Sequence, residues 1–323
     1  MSAPVTILFN RALARGGPEM ASIRSVLAAV QATVAATLKG DDGVTVDNAP
    51  ASVYFAVLMS MLESTGTAHA YEIFFLQSLL LPHIAPELIQ RRFDAMASLF
   101  LSALQSPVIV KETATLRALL SCLITTLKCL EPSPGMWDRP TVVQLFNALV
   151  SNITAARPKI RKAACAGVLD ILQLHYAARC GSASNLFAAA LNTVLRAATA
   201  RDQTAALQLM PLLRDALPLH GAEALTTTCD ALLHLPALGQ ARLTATAFVT
   251  LATMLESPRA RLSVKMVSRM LAALLSMTPS PEDHVSATEY AYLLAAALTR
   301  LANMERMQRG VPVEIRTTFA AMP

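Results

Sequence analysis

A dense group of positive charges lies in the segment ARPKIRKAACAGVLDIL, residues 156–172. Arg157, Lys159, Arg161 and Lys162 fall within six residues at the start of an apolar, periodic stretch. A helix N-terminus already carries partial positive charge, so each cation there costs about 0.3–1 kcal/mol unless something offsets it. Free N–H groups and cations together form a phosphate-binding type of site. We therefore predict that Arg157, Lys159 and Lys162 contact phosphates, with Arg161 shared between structure and binding.

A second basic group lies further along the chain. Arg261, Lys265 and Arg269 recur every four residues, which predicts one stripe along a helix. Such a stripe is either a band that contacts the phosphates of an RNA or an ordinary solvated face. The segment EPSPGMWDRP holds the only tryptophan, Trp137. This side chain is either an exposed anchor for a partner protein or packs over the adjoining helix ends.

The sequence offers little material for catalysis. It contains no Walker-type phosphate loop, no G-x-G-x-x-G, no H-E-x-x-H and no G-x-S-x-G motif. The six histidines are scattered, and the five cysteines include no C-x-x-C pair, as expected of buried thiols in a reducing compartment. We therefore predict a protein that is not an enzyme, with no cofactor, no metal and no small-molecule substrate.

Helical periodicity dominates the chain, and strand patterns are almost absent. In residues 160–172, apolar side chains step by 3, 1, 3, 1, 3 and 1, as one face of an α-helix requires. Prolines and short polar turns separate similar segments. The patterns predict helices near 19–39, 49–63, 69–82, 87–105, 109–130, 140–155, 158–178, 183–199, 202–216, 220–234, 237–256, 262–277 and 282–304.

The spacing of these helices indicates a repeat. The second helix of each predicted pair begins near residues 109, 158, 202, 237 and 282, a noisy period near forty that is typical of HEAT repeats. A pair of this size cannot bury its own apolar face, whereas stacked pairs can. We predict an all-α fold, a HEAT/armadillo-type α-solenoid that forms a right-handed superhelix of about six helix pairs.

Composition agrees with this fold. Hydrophobic residues make up 54% of the chain and charged residues 15%, with a formal net charge of +5. Three uncharged runs (73–86, 95–110 and 141–156) are interrupted by polar residues or proline and fall short of the roughly 18 apolar residues of a membrane span. We predict no membrane association, a flexible N-terminus at 1–18, the solenoid at 19–305, and a tail or further repeat at 306–323.

The segment RPKIRKAACAGVLDIL resembles the second helix of a HEAT repeat, with Pro158, Ile160 and Arg161 at its characteristic positions. Together with SVYFAVLMSMLES and LFNALVSNITAARPKIRKAACAGVLDIL, it is similar to the N-terminal HEAT region of ribosomal RNA-processing protein 12-like proteins. The similarity covers residues 50–305 in organisation and is specific in residues 140–175. Members of that family are longer, which implies a fragment or a short relative.

This resemblance implies a non-enzymatic scaffold of small-subunit ribosome biogenesis in the nucleolus or nucleus. Its expected partners are pre-ribosomal RNA and small-subunit assembly factors, with other proteins held on the concave face. The resemblance also implies that Arg161 pairs with an acid or a carbonyl of a neighbouring repeat. The alternative is a protein–protein adaptor that resembles nuclear-transport receptors or vesicle coats and binds no nucleic acid.

Overall fold

A computed structural model describes residues 5–14, 16–17, 19–38, 45–277 and 283–309. Over these residues the chain forms α-helices, short 3₁₀ turns and no strand. The α-helices in chain order are α1 (Val5–Leu13), α2 (Glu19–Thr37), α3 (Ala51–Thr65), α4 (Ala70–Leu80), α5 (Pro86–Gln105), α6 (Pro107–Lys111), α7 (Thr113–Lys128), α8 (Pro134–Trp137), α9 (Pro140–Val150), α10 (Pro158–Ala177), α11 (Ser182–Ala197), α12 (Thr204–Ala216), α13 (Ala222–His234), α14 (Ala241–Glu256), α15 (Val264–Leu275) and α16 (His284–Arg309).

The predicted helices are confirmed within a few residues, with one exception. The segment predicted as one helix over 109–130 is two helices, α6 and α7, because Glu112 between them has an extended backbone (φ −89°, ψ 116°). Proline opens α5, α6, α8, α9 and α10, where its missing N–H leaves no hydrogen bond unmade. These prolines explain why the helix starts could be read from the sequence.

The chain divides into two compact units, residues 1–174 and residues 175–323. In the first unit α3, α5 and α9 pack side by side, and α4 packs on α7 in the other layer. In the second unit α11, α13 and α15 form one layer and α12, α14 and α16 the other. Within the pairs α3–α4, α5–α7, α11–α12, α13–α14 and α15–α16, the two helices also pack on each other. Three pairs per unit in the described residues make this an α-solenoid of HEAT/armadillo type.

Aromatic and aliphatic side chains fill the space between the layers. Phe74 of α4 meets Phe100 of α5 edge to face, with ring centroids 6.1 Å apart, and both are fully buried. In the second unit, buried Phe248 contacts Tyr290 at 5.8 Å. Such burial on both faces of many helices accounts for the low charged fraction of the sequence.

The N-terminal segment contains a helix that the sequence analysis left out. α1 lies within the predicted flexible region 1–18, and its Phe9 is fully buried against Tyr54, with ring centroids 5.8 Å apart. Tertiary packing therefore holds a segment whose apolar run was too short to identify. The solenoid boundaries at 19 and 305 stay a prediction, and the predicted tail lies outside the described residues from 310 onward.

One window within the described residues is long and apolar enough to cross a membrane. It is Met20–Thr37 in α2, with a mean hydropathy of 1.3. Arg24 is the charged residue within it. Five of its 18 side chains are buried: Ile23, Val26, Leu27, Val30 and Val34.

Candidate functional site

Two of the four cations at the start of α10, Arg157 and Arg161, donate hydrogen bonds to backbone carbonyl oxygens of the protein. Arg157 donates hydrogen bonds to the carbonyl oxygens of Val110 (2.6 Å) and Lys111 (3.1 Å) and to Thr113 Oγ1 (3.4 Å). Val110 and Lys111 end α6, where the last carbonyls of a helix have no partner within it. Arg157 therefore caps α6 from the next repeat.

Arg161 is also engaged, because its guanidinium donates to the Ala155 carbonyl oxygen at 2.7 Å. That carbonyl lies just before α10, so this bond closes the local turn. The contact to a neighbouring repeat that the resemblance implied for Arg161 is made by Arg157 instead. Both side chains are half-buried.

Lys159 and Lys162 are the members of the predicted phosphate site that point outward. Both are exposed, and they lie three residues apart on the first turn of α10, so they share a face. Lys159 also lines a groove of about 720 Å³ in the first unit. The predicted four-residue site is thus reduced to two exposed lysines at the edge of this groove.

Side chains from α4, α7 and α10 line this groove, which we call the α4–α7–α10 groove. Its wall on α4 is formed by Tyr71 and Phe75, two half-buried rings whose centroids lie 6.0 Å apart. Exposed Arg117 of α7 and Lys159 of α10 add two cations. Small side chains form its floor: Ala114, Ala118, Ser121, Ala163, Ala166 and Gly167.

Gly167 of α10 lies against Ile124 of α7. A Cβ atom at this position would lie 2.3 Å from Ile124 Cδ1 and 2.4 Å from its Cγ1. These distances are shorter than an ordinary van der Waals contact, so any larger residue at 167 requires the half-buried Ile124 side chain to shift.

An ion pair crosses from α7 to α10 in the same groove. Lys128 Nζ lies 2.7 Å from Asp170 Oδ2, and the two side chains are 38% and 50% exposed. At this exposure the pair contributes at most about 1 kcal/mol to stability. The pair places a hydrogen-bond donor, the Lys128 ammonium, and an acceptor, the Asp170 carboxylate, side by side on the groove surface.

Sequence reasoning missed the groove residues on α4 and α7. Their sequence spacing could have identified them, because residues that line the groove recur every 46 positions in three series. These series are Tyr71, Arg117 and Ala163; Phe75, Ser121 and Gly167; and Ser78, Ile124 and Asp170. Each residue alone resembles an ordinary helix surface position, and only the repeat register brings the three helices to one groove.

The structure corrects the interpretation of Trp137 as a partner anchor. The side chain is 1% exposed and meets the Phe146 ring edge to face at 5.4 Å. It packs over the adjoining helix ends, which was the other alternative. A buried indole is unavailable to a partner protein, because reaching it would expose the core of this repeat.

The basic residues of the second unit do not form the predicted stripe. α15 begins at Val264, so Arg261 precedes the helix and is not on its face. Its guanidinium lies 4.5 Å from the centroid of the Tyr176 ring and donates to the Tyr176 carbonyl oxygen at 3.0 Å. Arg269 pairs with Asp230 at 2.7 Å. Lys265 stays exposed on α15.

The titratable groups with large shifts are buried in the packing. Desolvation lowers the pKa of His220 to about 4, although its Nδ1 lies 2.8 Å from the Ala216 carbonyl oxygen, and likewise lowers the pKa of His175 to about 4. Burial raises the pKa of the Cys122 and Cys229 thiols. Within the described ranges, no group of three His, Cys, Asp or Glu side chains could hold a metal ion.

A family model and two curated relatives all match this chain to RRP12-like proteins. The family described as "RRP12-like, N-terminal HEAT repeats" matches residues 22–262. The RRP12-like protein of Gallus gallus is 28% identical over 267 residues, which cover 78% of this chain and 19% of that protein. The human RRP12-like protein is 25% identical over 244 residues, 71% of this chain and 18% of that protein. The chain therefore spans less than a fifth of the length of these relatives.

Two helical-repeat proteins are among the solved structures that align with this chain. An archaeal HEAT-like repeats protein from Thermococcus onnurineus NA1 aligns with a TM-score of 0.44 at 12% identity, over 93% of this chain and 99% of that chain. A designed armadillo repeat protein aligns with a TM-score of 0.36 at 12% identity, over 74% and 98%. Because the family match covers most of the chain and the described helices pair as HEAT repeats do, the chain belongs to the RRP12-like family, in its N-terminal HEAT-repeat region.

Proposed function

We propose that this chain is a non-enzymatic scaffold of small-subunit ribosome biogenesis in the nucleolus, where it contacts pre-ribosomal RNA and assembly factors. Its membership of the RRP12-like family carries this proposal. A repeat fold supports it, since stacked pairs provide long surfaces that hold partners in place. The scaffold acts by positioning its partners, and Coulomb attraction to phosphates adds affinity that does not depend on sequence.

Lys159 and Lys162 are the proposed phosphate contacts in the first unit. Both ammonium groups are exposed at the first turn of α10, while Arg157 and Arg161 hold that turn in place. In the second unit Lys265 is the corresponding candidate. Arg261 and Arg269 are weaker candidates, because Tyr176 and Asp230 already engage their guanidinium groups.

RNA binding of the full chain across a salt series tests the proposal. The substitutions Lys159→Glu and Lys162→Glu are made together, and single-stranded RNA of unrelated sequences is the probe. Loss of two phosphate contacts flattens the slope of log affinity against log salt by about 1.4, at roughly 0.7 per contact. The matched control is Arg91→Glu with Arg92→Glu, two exposed cations on α5.

Circular dichroism establishes that each variant is folded. A slope that the α10 variant leaves unchanged moves the phosphate contacts away from Lys159 and Lys162, and Lys265→Glu then tests the second unit. If the wild-type chain binds no RNA at low salt, the proposal of RNA contact by this region is wrong.

A protein-adaptor function is the second candidate, favoured by one observation. The α4–α7–α10 groove combines apolar rings, small side chains and charges of both signs. This mixture suits a protein segment better than a phosphate chain.

A further inference from the structure

We propose that the α4–α7–α10 groove binds an acidic peptide segment of a partner protein, with an apolar side chain against Tyr71 and Phe75 and carboxylates on Arg117 and Lys159. This inference deepens the proposed function and rests on its protein-binding part, because it names the chemistry of the protein segment that the groove would hold; the groove shares Lys159 with the proposed RNA contacts.

The charge of the groove selects an anionic segment. Its lining side chains include three cations, Arg117, Lys128 and Lys159, and one carboxylate, Asp170. Lys128 and Asp170 neutralise each other at 2.7 Å. Arg117 and Lys159 are exposed, and an arginine can hold a carboxylate through two parallel hydrogen bonds. Carboxylates of a partner are therefore the complementary groups.

The floor of the groove admits a polypeptide backbone at close range. Ala114, Ala118, Ser121, Ala163 and Ala166 carry no side chain longer than two heavy atoms, and Gly167 carries none. Beside this floor, Tyr71 and Phe75 present partly exposed ring surface. An apolar side chain that covers these rings gains about 25 cal/mol for each Å² that it removes from water.

Asp170 distinguishes a peptide from RNA as the occupant. Its carboxylate pairs with Lys128 but is 50% exposed in the groove, so it retains acceptor capacity for a hydrogen bond, which an ionised phosphate group cannot donate. A peptide brings backbone N–H groups, which can donate to this carboxylate, as well as carboxylates of its own. Charges of both signs in one groove therefore favour a protein segment.

Selection of random 16-residue peptides displayed on phage, with the folded full chain as bait, tests the inference. We expect enriched peptides to be acidic and to contain an aromatic or large aliphatic residue. Synthetic copies should bind the Ala166→Tyr chain at least about tenfold more weakly, since the new ring fills the groove without changing its charge. The matched control is Ala189→Tyr, at an exposed alanine in the middle of α11.

Charge reversal gives the second readout. Arg117→Glu should weaken the acidic peptides about tenfold, and replacing one peptide acid with arginine should restore binding to that variant alone. Arg92→Glu on α5 is the control. Non-acidic selected peptides, equal binding to Ala166→Tyr, or no enrichment would each overturn the inference. Loss of oligouridylate binding in Ala166→Tyr would assign the groove to RNA and also overturn it.

Neither Ala166 nor Arg117 belongs to the proposed RNA contacts. Lys159 is common to both proposals, so the two variants that leave Lys159 and Lys162 unchanged report on the peptide, and the Lys159→Glu/Lys162→Glu salt series reports on RNA.

Discussion

Arg157 belongs to a cluster of cations that resembles a ligand site, but its side chain has a structural role within the protein. It was predicted to be a phosphate contact, yet its guanidinium reaches the last two carbonyls of α6, at 2.6 and 3.1 Å. A half-buried arginine in this geometry stabilises the junction of two repeats, because the carbonyls have no helical partner. The positive charge at the α10 N-terminus is thus offset by the negative end of another helix.

Substitution of Arg157 tests this structural role. We expect Arg157→Ala to lower the free energy of unfolding by about 2 kcal/mol, since hydrogen bonds to a charged group contribute about 1.5–3 kcal/mol. Arg157→Lys should recover little, because an ammonium group cannot reproduce the planar fork. Urea unfolding measures both, and exposed Lys162→Ala is the control, with a change within about 0.5 kcal/mol. Equal effects of Arg157→Ala and Lys162→Ala would refute the structural role.

His220 gives the fold a dependence on pH. Burial lowers its pKa from 6.5 to about 4, so the folded protein excludes a proton that the unfolded chain accepts. The stability associated with the neutral ring is present above pH 6.5 and is lost as the pH falls toward 4. At pH 5 the loss is about 2 kcal/mol for this histidine.

His220→Asn should reduce this dependence. The amide can replace the Nδ1 donor to the Ala216 carbonyl, so the variant is compared with wild type by the slope of unfolding free energy between pH 7.5 and pH 5. The slope, rather than the absolute stability, is the readout, since any cavity lowers stability at every pH. The pKa of His175 is also lowered to about 4, so His175 contributes to the pH dependence of stability in both proteins. Identical slopes would show that His220 is not excluded from protonation.

At the scale of the element, Ile124 of α7 occupies the space that a Cβ at residue 167 of α10 would need. We expect Gly167→Ala to destabilise the protein by about 1–3 kcal/mol, because Ile124 must move out of its site. In an Ile124→Ala background the same substitution should become stabilising by roughly 0.8–1 kcal/mol, since alanine is the better helix former. Chemical denaturation of the four proteins of this cycle measures the sign. Destabilisation of the same size in both backgrounds would contradict the contact.

The helices were predictable because each one carries its own local signals. A 3.6-residue apolar period and an opening proline identify α5, α9 and α10 without any tertiary information. The break at Glu112 and the helix α1 were missed, since neighbouring helices decide them and local sequence does not. The groove was missed for the same reason: Tyr71, Arg117 and Lys159 belong to three different repeats.

Three ion pairs each join residues that are about one repeat apart in the sequence. The ion pairs Lys128–Asp170, Arg139–Asp94 and Arg269–Asp230 join residues 42, 45 and 39 apart, which is one repeat length. Each is partly exposed and contributes at most about 1 kcal/mol. Stability therefore depends on the apolar layers between helices, and the ion pairs fix which surface positions face each other.

At the scale of the whole molecule, two fully buried thiols are suited to report unfolding. Cys122 lies in the first unit, where its sulfur contacts the Phe74 carbonyl oxygen at 3.3 Å, and Cys229 lies in the second, 3% exposed. Burial raises the pKa of both thiols, which removes the reactive thiolate at neutral pH. Cys129, Cys165 and Cys180 are partly exposed.

Alkylation by iodoacetamide, followed by mass spectrometry of peptides, should therefore divide the five thiols into two classes. In native buffer we expect modification at Cys180 and slower modification at Cys129 and Cys165, because partial burial also raises the pKa of these two thiols. We expect none at Cys122 or Cys229, because a packed helix must open before the reagent can reach either sulfur. Across a urea series, modification of Cys122 follows the opening of the first unit and that of Cys229 the second. Labelling of Cys122 in native buffer as fast as Cys180 would mean that the α4–α7 layer opens readily, and the groove built on that layer could not hold a partner in a fixed geometry.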